Sequence, residues 1–108
     1  MTIFDDREKA FEAKFRVDQE TQFKINIRRD KLLGLWAAEQ MGLEGDAAKA
    51  YALTVVDAEF TEPDHDVSHK VVRDLAARNI PIDDRTVAME LSRCRELART
   101  QILDEMRR

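Results

Sequence analysis

Three groups of side chains in this sequence have types and spacings that chemistry could use. His65-Asp66-Val67-Ser68-His69 sets two imidazoles at i and i+4, the spacing of a zinc-binding helix, with Asp where a zinc protease carries Glu. Glu62-Pro63-Asp64 stands just before it, so His65 belongs at a helix cap, off the regular face, and no third His or Cys ligand is at hand. A cap-rich helix start and no metal site are expected. Lys24, Arg28 and Lys31 form a basic helix face, with Arg29 beside them. That face could hold a nucleotide phosphate or an acidic patch on a partner. No glycine-rich loop is present to cradle a phosphate, and the plainer reading is a solvated helix face. Cys94 is the single cysteine. It lies on an apolar stripe, and a reactive thiol needs nearby cations in a partly open site, so a buried, inert thiol is expected.

Nothing else suggests catalysis. The sequence has no nucleophile–base pairing, no Gly-x-Ser-x-Gly and no Walker loop. Most carboxylates alternate with Lys and Arg at helix-surface spacing and read as solvated. The chain is therefore read as a protein that is not an enzyme and takes no cofactor. A formal charge of -4 disfavours nucleic acid or an anionic membrane surface, both of which need a cationic footprint. No apolar run approaches the roughly 20 residues that span a bilayer. The N-terminus lacks the basic and apolar regions of a signal peptide, and a lone cysteine fits a reducing compartment, so a cytoplasmic location is expected.

These side chains must be positioned by helices. Only three Gly and two Pro occur in 108 residues, and strong helix formers are plentiful. An all-α fold with one modest core follows. Gly45 breaks the chain and Asp46 is placed as a cap for a helix reaching Phe60. Tyr51, Leu53, Val55, Val56 and Phe60 leave that helix little polar face, so it should be the most buried. A shorter helix carries Val67, Val71, Val72 and Leu75 and ends near Asn79. Asp83 or Asp84 caps a last helix with the stripe Val87, Leu91, Cys94, Ala98 and Ile102.

The first helical region differs from the others. No Gly or Pro interrupts Asp5 to Lys31, and Glu20–Lys24 is one of three acid-before-base pairs at i,i+4. An unbroken helix from Asp5 to Met41 would measure about 55 Å, against about 22 to 38 Å for its neighbours. Part of it has nothing to pack against. Asp18-Gln19-Glu20-Thr21-Gln22 is wholly polar and marks a boundary: an arm over 1–19 and a bundle over 20–108. Phe4, Phe11 and Phe15 share one side of the arm. They are either a stripe folded back on the bundle or anchors for a groove in another protein, and the length mismatch favours the second. Alone, such a helix is marginal in water, so the arm is expected to be flexible or marginally helical. Its titrating side chains are only Asp, Glu, Lys and Arg, which gives it no pH switch of its own near neutrality. Gly34 is either a close helix crossing or a tolerated defect.

Phe4-Asp5-Asp6-Arg7-Glu8-Lys9-Ala10-Phe11-Glu12-Ala13-Lys14-Phe15 resembles the opening of the ζ subunit family, inhibitors of alphaproteobacterial F-type ATP synthases. Arg28-Arg29-Asp30-Lys31-Leu32-Leu33-Gly34-Leu35-Trp36-Ala37-Ala38 continues the likeness, as do Tyr51-Ala52-Leu53-Thr54-Val55-Val56 and Glu62-Pro63. Asn26-Ile27 and the region of His65 and His69 depart from the family pattern. The resemblance implies a four-helix bundle with a mobile inhibitory N-terminus that enters an α/β catalytic interface near γ and blocks ATP hydrolysis while sparing synthesis. It implies partner-binding roles for Phe4, Asp5, Arg7, Glu8, Phe11, Lys14 and Phe15. The partners would be the α, β and γ subunits of the catalytic head, at the cytoplasmic face of the inner membrane, and the free protein would be monomeric. The alternatives are a small helical regulatory domain that binds an adenine nucleotide or an acidic partner through Lys24, Arg28 and Lys31, and an oligomerising helical adaptor.

Overall fold

The computed structural model describes residues 18–107. Over that range the fold is all-α with four helices: α1 Gln19–Gln40, α2 Gly45–Thr61, α3 Val67–Ala77 and α4 Asp84–Met106. The four-helix expectation holds. Expectations that concern residues 1–17, among them the arm's helicity, lie outside the described residues.

Local chemistry sets most of the helix ends. Asp18, in extended geometry, caps α1 by accepting the Thr21 N–H at 2.7 Å. At the other end Gly42 turns left-handed (φ 77°) and α1 closes with a Schellman pair. Leu43 N–H donates to Ala38 O at 2.9 Å and Gly42 N–H to Glu39 O at 3.0 Å. The same device ends α3, with Asn79 in the left-handed position (φ 61°) and Ile80 N–H donating to Leu75 O at 3.0 Å. Asp66 and Asp83 cap α3 and α4 through their carboxylates. The start of α2 departs from expectation. Glu44, not Asp46, holds the N-cap position, because its carbonyl already accepts the Ala48 N–H at 3.4 Å. Asp46 falls in the first turn, where its charge faces the positive end of the helix dipole.

α1 is the organising helix. α2 and α4 each run antiparallel along it, while α3 packs mainly on α4 and α2. Gly34 is the close crossing: a Cβ there would stand 2.6 Å from Ala52 Cα. The main core joins Leu33 and Ala37 to Val55, Val67, Val71, Leu75, Val87 and Cys94. A second, thinner cluster of Ile25, Ala98 and Ile102 holds the beginning of α1 to the end of α4. The expectation that α2 is the most buried helix is corrected. α1 buries eight residues and α2 only Ala52, Val55 and Ala58, while Leu53 and Phe60 are 60% and 57% exposed. α2 packs closely on α1 and only lightly on α3, so its wide apolar surface exceeds what its neighbours cover.

Candidate partner-binding site

Phe4, Asp5, Arg7, Glu8, Phe11, Lys14 and Phe15 lie outside the described residues, and no geometry is assigned to them. The chain they belong to enters the bundle at Asp18, and the surface around that entry is described. Its charge is set by hydrogen bonding: Thr21 N–H on the carboxylate holds Asp18 below the usual Asp range.

The basic face exists, but its members differ. Arg28 turns to α4, donating to Gln101 Oε1 at 2.7 Å and pairing with Glu105 at 2.9 Å. Lys24 makes a loose pair with Glu20 at 3.8 Å. Lys31 is exposed and pairs with no described residue. Together these three border an open groove of about 530 Å³, whose remaining lining is Phe23, Ile27, Ile102 and Glu105. Phe23 is 51% exposed and its ring centroid lies 6.0 Å from that of Phe60. Phe23 and Ile27 thus leave the core stripe, as the helical wheel requires. What they form is a half-apolar trough with cationic edges.

Arg29 does not belong to that face. It is buried, four residues from Ile25 and four from Leu33, and its guanidinium serves two carboxylates. Asp30 Oδ1 lies 2.9 Å away and Glu59 Oε2, on α2, at 3.0 Å. Asp30 is wholly inaccessible, and its Oδ2 accepts no hydrogen bond among the described residues. Burial, reinforced by Glu59, pushes the Asp30 carboxyl up to about 8, against the opposing pull of Arg29. Sequence reasoning took the carboxylates as solvated and missed this cluster. The available signal was periodicity: Arg29 and Asp30 share helix sectors with Ile25, Leu33 and Ala37.

The histidines are drawn apart. His65 sits in left-handed backbone (φ 56°) before the Asp66 cap, and its Nδ1–H donates to Glu59 O at 3.0 Å. His69 instead meets Asp64 at 2.6 Å and Asp66 at 3.5 Å. Among the described residues no group of three or more His, Cys, Asp or Glu is arranged to hold a metal. Cys94 lies in the main core, and burial pushes its thiol up to about 11, the opposite of an activated cysteine.

Two polar ties fix α3 against the rest. Tyr51 O–H donates to Asp74 Oδ2 at 2.8 Å, and Lys70 pairs with the same carboxylate while lying 5.2 Å from the Tyr51 ring centre. Arg73 pairs with Glu62. These contacts hold α3 in place.

The family model for ATPase inhibitor subunit zeta matches residues 1–101, which includes the whole segment before Asp18. The chain belongs to that family. Comparison with the curated proteins and with the solved structures gives no match. Membership assigns this ζ-family chain an inhibitory, regulatory role in association with an ATP synthase. No helix among the described residues is long and apolar enough to cross a membrane.

Proposed function

We propose that the ζ-family chain blocks ATP hydrolysis by placing residues 1–19 at an α/β catalytic interface near γ, with Phe4, Phe11 and Phe15 as apolar anchors. Asp5, Arg7, Glu8 and Lys14 would orient the segment through charge. The observation that carries this reading is the span of the family match, which begins at residue 1 and so takes in the arm along with the bundle. The side-chain cap at Asp18 supports a division at that point, because an N-cap residue leaves the helical path and lets the preceding chain depart on its own course. Residues 20–108 then act as a handle that anchors the arm. The engagement of Arg28 with Gln101 and Glu105 weighs against a phosphate site on the basic face, since two of its guanidinium nitrogens are already occupied. The test is to add the purified full chain to the matching ATP synthase stripped of its own inhibitor. Hydrolysis should fall while synthesis is spared; unaffected hydrolysis would sink the proposal.

A further inference from the structure

We infer that Arg29, Asp30 and Glu59 form a one-proton latch between α1 and α2, in which loss of the proton sends Glu59 out to solvent and frees the last turn of α2 from α1. The latch belongs to the bundle and holds whether or not residues 1–19 are the inhibitory segment.

The balance of charge calls for the proton. Two carboxyls meet one guanidinium, with Asp30 Oδ1 at 2.9 Å from Arg29 and Glu59 Oε2 at 3.0 Å. Fully ionised, the three groups would carry one uncompensated negative charge, where Asp30 is 0% exposed and Arg29 only 8%. A buried charge without a partner takes up a proton rather than stay ionised. The cluster also gives that proton a place. Asp30 Oδ2 has no partner among the described residues, and the Glu59 carboxyl stands within hydrogen-bonding reach of Asp30. Two carboxyls share a hydrogen bond only when one of them is protonated. Burial and the Glu59 contact both push the Asp30 carboxyl upward, so the proton is held at neutral pH and leaves as pH rises through about 8.

Once the proton is gone, Glu59 is the group that can leave. Its side chain is 18% exposed at the rim of the cluster, whereas Asp30 is wholly enclosed. Asp30 also stands one turn before Gly34, where a Cβ would meet Ala52 Cα at 2.6 Å and the helices cannot part without losing their closest contact. Departure of Glu59 leaves Arg29 and Asp30 as a neutral pair. The charged groups of the other helices are engaged elsewhere. On α4 the Cys94 thiol acts on Arg29 but is kept neutral by burial, and on α3 Lys70 pairs with Asp74 and Arg73 with Glu62.

The consequence falls on the end of α2. Its buried residues are Ala52, Val55 and Ala58, so the core holds the helix up to Ala58. Beyond that point the ties to α1 are Arg29–Glu59 and the Phe23–Phe60 ring contact at 6.0 Å, with Phe60 already 57% exposed. Without the ion pair the ring contact is a weak hold, and Phe23 lies only five residues after the Asp18 cap. Proton loss in the core is thereby felt at the start of α1.

The experiment follows the full chain by NMR from pH 5 to 10, reading the side-chain carboxyl carbons and the cross-relaxation between the Phe23 and Phe60 rings. The Asp30 carboxyl should report a transition near pH 8, the Glu59 carboxyl should respond at the same pH, and the ring cross-peaks should fall by half or more across it. Asp30→Asn should remove the transition and keep the cross-peaks at high pH. Glu59→Gln, a change at the rim, supplies an amide donor to Asp30, so Asp30 should titrate at lower pH and the cross-peaks should no longer depend on pH. His65→Ala should leave the transition in place, although the His65 ring bonds Glu59 O. An Asp30 already ionised below pH 6 would overturn the latch. So would an Asp30 transition that leaves the cross-peaks unchanged, or a loss of cross-peaks that persists in Asp30→Asn.

Discussion

At the residue scale the arm and the core obey different energetics. Burying a phenylalanine contributes about 1.5 to 3 kcal/mol, whereas an exposed ion pair contributes about 0 to 1. Phe11→Ala and Phe15→Ala should therefore each weaken inhibition about tenfold, at about 1.4 kcal/mol per decade. Charge swaps at Glu8 and Lys9 should cost less, and titration of hydrolysis against each variant ranks them. In the core the sensitive residue is Asp30. Its carboxyl is pushed up from 3.8 to about 8, so between those values the folded protein binds a proton that the unfolded chain releases. Stability should fall as pH rises through that window, by at most about 1.4 kcal/mol per pH unit for one full proton. Arg29 and Glu59 are the charged groups in contact with it, from α1 itself and from α2. Asp30→Asn mimics the protonated acid and should flatten the dependence. Urea melts at pH 5 and pH 8 measure it, and a wild type more stable at pH 8 than at pH 5 would contradict the assignment.

At the element scale the crossing of α1 and α2 is built on Gly34. Alanine there gains about 1 kcal/mol of helix propensity but brings its Cβ to 2.6 Å from Ala52 Cα, a backbone atom that cannot rotate away. Overpacking of this kind costs about 1 to 3 kcal/mol, so Gly34→Ala should lower the thermal midpoint by several degrees despite the better helix former. A rise in the midpoint would mean that the helices part without loss. The sequence left Gly34 open between crossing and defect, because a glycine's local cost is visible in a single chain and the atom opposite it is not. Helix number, the cap at Asp83 and the stripe from Val87 to Ile102 were legible, because each follows from local spacing, whereas the cap of α3 is Asp66 and not the His65 before it. The burial of α2 was misread for the complementary reason. An apolar surface records what a helix could bury, and only its neighbours decide what it does bury. Asp30 escaped in the same way: its identity said solvent, while its position between Ile25 and Ala37 said core.

At the scale of the whole molecule the question is whether the arm and the bundle are separable. The described residues form a core from Ile25 to Ile102, and α1 starts with its own cap at Asp18. A helix start that carries its own cap does not depend on the preceding chain to satisfy its first N–H groups. Removal of residues 2–17 should then leave the helicity of α1 to α4 in place and shift the thermal midpoint by only a few degrees. Inhibition of ATP hydrolysis should disappear in the same variant. Circular dichroism melts and a hydrolysis titration of one preparation separate the two effects. Cooperative unfolding of the truncated chain near room temperature would place the phenylalanines in the core and end the division into arm and bundle.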